Sequence, residues 1–214
     1  MTDPPAEPPF EHYFAARPRV PSRRRELRFL YRGEVLAFET DRGVFGAEGL
    51  DPGTALLIEA LNVGSTDRVL DLGCGWGAVG IAAAKAASEG QVVLTDVNHR
   101  AIVLARANVR RNHIANAAVR PVSGFDRLDD ERFDVIATNP PYHVGRDVIL
   151  GLLGEVPRHL TPRGRLLMVG KGSHGIRFYQ DWLTAHWAER VEVVVRGGGY
   201  RVLDARPKVA SLHP

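Results

Sequence analysis

Asn139-Pro140-Pro141-Tyr142 closes an apolar run, Phe133-Asp134-Val135-Ile136-Ala137-Thr138, and its residue types suit chemistry at a planar nitrogen. An exocyclic amine on a base, or an amide nitrogen, is a poor nucleophile because its lone pair is delocalised. If the Asn139 side-chain oxygen and the Pro140 carbonyl each accept one N–H, the nitrogen is drawn toward tetrahedral geometry with its lone pair free to take a methyl group. Two prolines stiffen that turn, and Tyr142 offers a ring on which a flipped base can stack. A general base is not needed, since the alkylated nitrogen is acidic and sheds its proton through the same acceptors. The competing reading is a proline turn that only ends a strand, and the residues upstream weigh against it.

Asp71-Leu72-Gly73-Cys74-Gly75-Trp76-Gly77 stands at the end of an earlier apolar strand and opens a helix. Glycines there let the backbone approach a small ligand closely. Gly75-x-Gly77-x-x-Gly80 also fits the dinucleotide pattern, with Asp96 about 20 residues on, placed to accept hydrogen bonds from ribose hydroxyls. By spacing, NAD and S-adenosylmethionine are both allowed. A carboxylate at Asp71, at the mouth of the loop, repels a pyrophosphate and favours a sulfonium and an ammonium, so charge points to S-adenosylmethionine. Gly77 and Gly80 also read as close helix-to-strand packing. Cys74 reads as a small loop residue touching the cofactor, with no partner base to make it a nucleophile.

These residues need a scaffold, and the alternation of patterns supplies one. Short apolar strands at 68–72, 91–95, 118–122, 133–138 and 165–170 alternate with helical stretches at 78–87, 99–112, 147–160 and 178–187. That order predicts a doubly wound parallel α/β sheet covered on both faces. Residues 191–195 and 200–205 are two further β-rich runs joined through Gly197-Gly198-Gly199, and so closely joined they must be antiparallel. Ahead of the sheet, residues 26–40 predict a hairpin. Leu27, Phe29 and Tyr31 lie on one face, and Val35, Ala37 and Glu39 continue the alternation past a turn at 32–34. Residues 41–53 carry four glycines and a proline and read as a loop with a job, followed by a short helix at 54–61 capped by the Asp51-Pro52-Gly53-Thr54 turn. Residues 1–25, rich in proline and then arginine, read as an arm. The expected division is thus 1–25 arm, 26–65 hairpin, loop and helix, and 66–214 catalytic domain.

With 214 residues, 44% apolar and 25% charged, the chain can bury one good core. The net charge is only +3, but the cations are mostly arginine, which grips phosphate in a two-pronged way, so a nucleic-acid partner is permitted and not required. Arg106, Arg110, Arg111 and Arg146 are candidate phosphate contacts, though the first three read first as a solvated helix face. One cysteine excludes an internal disulfide and a cysteine-based metal site, and no metal is expected. No apolar stretch reaches roughly 18 residues, so a membrane partner is not expected and a cytoplasmic location is.

The glycine loop Asp71-x-Gly73-x-Gly75, together with the antiparallel terminal strands, resembles the Rossmann-like class I methyltransferases, a likeness spanning roughly residues 66–206. It implies S-adenosylmethionine held by Asp71, Gly73, Cys74, Gly75, Asp96 and Asn139, with Val97 covering one adenine face. After the third strand many such enzymes carry an Asp for the adenine amine; Gly124-Phe125 stands there instead, implying a backbone contact at Gly124 and Phe125 against the ring. The Asn-Pro-Pro-Tyr motif is shared by enzymes of adenine N6, guanine N2 and glutamine N5. Asp41-x-Gly43-Val44-Phe45, then Gly49-Leu50-Asp51-x-Gly53-Thr54, and Asn139-Pro140-Pro141-Tyr142-His143-x-Gly145 are similar to segments of the small-subunit rRNA guanine-N2 methyltransferases of the RsmC type. That resemblance implies methylation of a guanine N2 in 16S rRNA. Asn139, Pro140 and Tyr142 would be catalytic, and Phe45, Pro141, Tyr142 and His143 would face the substrate, His143 as a positioning residue. The implied partner is ribosomal RNA or the small subunit, met by a monomer or homodimer. Glutamine N5 or adenine N6 transfer, and a non-catalytic RNA-binding assembly factor, are the alternatives.

Overall fold

The computed structural model describes residues 20–208. Of the expected arm only 20–25 fall among them.

The hairpin is β1 (Arg25–Tyr31) and β2 (Glu34–Thr40), paired so that Leu27 faces Phe38 and Phe29 faces Leu36. Opposite residues of an antiparallel pair share a face, so the core face of β2 is Leu36, Phe38 and Thr40. The expected phase of β2 is therefore corrected: Val35 is 65% exposed while Leu36 and Phe38 are buried. Tyr31 pairs with Glu34, so the turn is Arg32-Gly33, with positive φ at both, and this two-residue link resets the alternation. Helix α1 (Pro52–Glu59) follows the glycine-rich loop, with Asp51 as N-cap accepting the Thr54 N–H.

The main sheet holds β3 (Arg68–Leu72), β4 (Gln91–Asp96), β5 (Ala117–Pro121), β6 (Phe133–Thr138), β7 (Leu160–Lys171), β8 (Ala188–Gly197) and β9 (Tyr200–Pro207), in the order β5-β4-β3-β6-β7-β9-β8. Strands β5 to β7 run parallel, and β9 pairs antiparallel to both β7 and β8, as the glycine-linked runs require. The helices are α2 (Ala78–Ala86), α3 (His99–Arg111), α4 (Arg146–Glu155) and α5 (Ile176–His186). Helix α4 stops short of the expected 160: Pro157, which has no N–H and clashes with the preceding turn, sits in a 3-10 turn, Val156–His159.

One core cluster joins Leu36 and Phe38 of the hairpin and Leu57 of α1 to Ala82, Leu94 and Leu104; the other lies under α4 and α5, around Ile136, Ile149 and Leu183. The hairpin and the sheet thus share apolar packing across the expected boundary at residue 66. Two asparagines fix the hairpin. Asn112 accepts the Ala37 N–H and donates to the Ala37 carbonyl, and Asn108 does the same for Glu39 while also donating to the Trp76 carbonyl. Four residues of helix rise about 6 Å and two of strand about 6.7 Å, so side chains one turn apart on α3 match alternate groups on the free edge of β2. Arg111 pairs with Glu26 and Glu39, and Arg106 donates to the Val119 carbonyl, so these two α3 arginines hold the fold together and are not a free phosphate track.

Candidate active site

The chain leaves β3 for β4 on one side and returns to β6 on the other. The crevice this opens at the carboxyl ends of the strands is where such sheets bind ligands. A cavity of about 760 Å³ lies there, lined from β3 by Gly73 and Gly75, from β4 by Asp96 and Asn98, and from β6 by Asn139, Pro140, Pro141, Tyr142 and His143. Phe45, from the loop before α1, completes the wall and is 44% exposed. Sequence elements about 100 residues apart therefore converge.

The glycine loop is held from below. Gly73 and Cys74 both donate their N–H groups to the Thr95 carbonyl, at 3.0 and 2.8 Å, which pins the loop to β4. Cys74 lines a small recess with Gly73, Gly75 and Asn139; its N–H is engaged, and its buried thiol bonds to the Gly75 carbonyl. Burial, followed by the charges of Asp96 and Asp71, pushes that thiol well above its usual pKa, so it is inert. The reading of Asp71 is corrected. It lies beneath the loop and not at its mouth, 2% exposed, accepting the Gly80 N–H at 2.7 Å. Burial raises its pKa to about 7 against the Gly80 hydrogen bond, with Asp96 adding repulsion. Gly80 is needed for that contact, since a Cβ there would sit 2.4 Å from Leu94.

Asp96 accepts from Gly75 N–H and Asn98 N–H, both at 2.8 Å, so the same carboxylate that faces the cavity also sets its floor. Burial outweighs these bonds and raises its pKa. Gly73 is exposed, with φ +77°, and a Cβ on it would meet no atom within 4 Å, so its open face is cavity wall that a side chain would fill. The Asp96 carboxylate on the lining suits ribose hydroxyls and opposes a pyrophosphate. The residues present fit S-adenosylmethionine.

Asn139 is latched. Its Nδ2 donates to Asp51 Oδ2 at 3.2 Å and to Thr54 Oγ1 at 3.0 Å. With Nδ2 donating to both Asp51 and Thr54, the amide is oriented so that Oδ1 is left as the acceptor for a ligand. Pro140 turns tightly about Pro141, whose φ of −76° and ψ of 78° let the Tyr142 N–H reach the Pro140 carbonyl at 2.9 Å. That carbonyl keeps a second lone pair for a substrate N–H.

Several expected roles change. Tyr142 lines the cavity, but its hydroxyl donates to the Val169 carbonyl at 2.7 Å and its ring stacks on His174 at 4.8 Å. One ring face is therefore already covered; burial, then the neighbouring Tyr179, raises its pKa. Phe125 is not against the cavity at all: it is 8% exposed and stacks on His159 in the core under α4. Gly124, where a Cβ would lie 2.7 Å from Leu152, and half-buried Val97 are likewise outside the lining of this cavity. Missed in the sequence were Asp51 as a latch, Asn98, and the ring wall of His174, Tyr179 and Tyr200. The signal for the ring wall was the glycine-bracketed Gly172-Ser173-His174-Gly175 after β7, another loop at the ligand end of the sheet.

The methyltransferase small domain family matches residues 35–204, a span that includes the loop before α1, the glycine loop and the Asn-Pro-Pro-Tyr turn. The chain belongs to that family. It is an S-adenosylmethionine-dependent methyltransferase with a Rossmann-like sheet. Among similar proteins, YbxB of Bacillus subtilis is 30% identical over 92% of this chain and 98% of its own length. The ribosomal RNA small subunit methyltransferase C of Hamiltonella defensa is 34% identical over 65% of this chain and 42% of its own. A solved structure of the T. thermophilus 16S rRNA N2 G1207 methyltransferase (RsmC), in complex with AdoMet and guanosine, superposes with a TM-score of 0.76 at 27% identity, covering 89% of this methyltransferase and 52% of that chain. The methyltransferase thus spans about half the length of these rRNA-modifying relatives. Among its described residues no helix is long and apolar enough to cross a membrane.

Proposed function

We propose that this methyltransferase acts on the exocyclic N2 amine of a guanine in small-subunit ribosomal RNA, in the cytoplasm. The observation that carries the reading is the latched Asn139 beside the Pro140 carbonyl in the cavity that Gly73 and Asp96 line. The likeness to an enzyme solved with AdoMet and guanosine supports the choice of base.

Gly73, Gly75 and Asp96 hold the cofactor, which when bound supplies an electrophilic methyl on a sulfonium. Asn139 Oδ1 and the Pro140 carbonyl each accept one N–H of the guanine amine, which pulls its lone pair out of conjugation and aims it. After transfer the nitrogen is cationic, and its proton leaves through the same two oxygens. His143 stands at the rim; burial lowers its pKa, so it is neutral at pH 7 and positions the base without protonating it. Phe45 and Tyr142 both line the cavity and offer rings to a flipped base.

Tritium transfer from labelled cofactor to total RNA, ribosomal subunits and total protein, followed by nucleoside analysis, tests this. N2-methylguanosine is expected; label in glutamine or in N6-methyladenosine would replace the reading. Asn139→Ala is expected to abolish transfer with cofactor affinity held, and turnover at the wild-type rate would remove the amine clamp.

A further inference from the structure

A second depression of about 800 Å³ adjoins the catalytic cavity and shares Phe45, Asp51 and His143 with it. Its outer wall carries Arg23, Arg25 and Arg42, all exposed. Arginines close by are committed: Arg24 pairs with Glu39, Arg100 with Asp41, and Arg111 with Glu26 and Glu39. Arg23, Arg25 and Arg42 have no carboxylate partner among the described residues, so their guanidinium donors face solvent.

Their backbones are nonetheless fixed. Asp41, 3% exposed, accepts from the Ser22 hydroxyl at 2.6 Å and from the N–H groups of Arg23 and Arg42. Arg100 stands beside Asp41 and donates to the carbonyls of Val20 and Arg42. Burial would raise the Asp41 pKa, but the Ser22, Arg23 and Arg42 hydrogen bonds with the Arg100 charge hold it below the ordinary value, so the clasp stays ionised. One buried carboxylate thus holds two chain segments so that three free cations flank one groove. The groove runs into the cavity at Phe45.

We propose that this groove is the track for single-stranded RNA flanking the target nucleotide, with phosphates on Arg23, Arg25 and Arg42. The proposal rests on the RNA reading above and names the surface that reading needs. A base must leave its stack to bring its amine to Asn139, so the neighbouring backbone is single-stranded where it enters. Planar guanidinium forks along the route match phosphate geometry, and a row of them tracks a backbone without reading sequence.

The test is fluorescence anisotropy of the full chain with a labelled single-stranded RNA of about 12 nucleotides, titrated between roughly 50 and 200 mM salt. The variant Arg23→Ala/Arg25→Ala/Arg42→Ala is compared with Arg163→Ala/Arg190→Ala, whose cations line a separate hollow at the opposite end of β7 and β8. Loss of three phosphate contacts predicts a salt slope shallower by about 2 and RNA affinity lower by tenfold or more, with cofactor affinity unchanged. The control pair is expected to stay within about threefold. A triple variant with the wild-type slope, or a control pair that loses as much, overturns the groove. If wild type methylates RNA while the triple variant keeps its KM for RNA, the groove fails and the RNA reading stands. If wild type labels protein alone, or an acidic peptide competes as well as RNA, both fail.

Discussion

Asp51 illustrates how one side chain can serve structure and chemistry together. It caps α1 through the Thr54 N–H and orients the Asn139 amide through the same oxygen. The two roles separate in Asp51→Ser, since serine remains a good N-cap but is too short to reach Asn139. That variant is expected to keep its stability within about 0.5 kcal/mol and its cofactor affinity within about threefold, while kcat falls about tenfold, or ~1.4 kcal/mol. A parallel loss of cofactor affinity in calorimetry would make Asp51 a ligand and not a positioning residue. Asp71 carries a pH signature. Its folded pKa of about 7 exceeds the ordinary 3.8, so between those values the folded state holds a proton the unfolded chain has lost. The stability it contributes is full below the lower value and is lost as pH rises through the upper one. Asp71→Asn keeps an acceptor for Gly80 without ionising. Urea melts are therefore expected to show wild type losing about 3 kcal/mol relative to this variant from pH 5 to 8; parallel profiles would contradict the buried, neutral carboxyl.

At the scale of elements, the attachment of the hairpin to α3 depends on side chains acting as backbone. Asn108 is fully buried and serves three main-chain groups, so Asn108→Ala leaves the Glu39 N–H and two carbonyls without partners in an apolar setting. A loss of about 2 to 4 kcal/mol is expected in chemical denaturation; a change below about 1 kcal/mol would mean that the hairpin is held by its apolar face alone. The central strands β3, β4 and β6 were legible because each is a short apolar run buried on both faces, which a run of apolar residues reports directly. Asn108 and Asn112 were not legible in this role, because an asparagine spacing of one helical turn is common and gains meaning only against a strand edge. The phase of β2 was lost for a related reason: a one-residue error in the turn moves every side chain to the other face.

For the whole molecule, charge organisation follows from the folding of opposite ends onto one site. The net charge of +3 says little, but the clasp at Asp41 fixes Arg23 and Arg42, and β1 carries Arg25, beside the catalytic cavity while Glu26, Glu39 and Asp41 absorb their neighbours. The sequence by itself determined the order of strands and helices, the antiparallel finish, the glycine loop and the Asn-Pro-Pro-Tyr turn, because these rest on local periodicity and on residues with special backbone freedom. Only the tertiary structure decided that Asp71 lies under the loop, that Phe125 belongs to the core, that His174 covers one face of Tyr142, and that Asp51 sets the Asn139 amide. The last three depend on which side chains meet across about 30 to 90 residues of chain, and a contact at that distance is fixed by packing geometry, which leaves no period in the sequence.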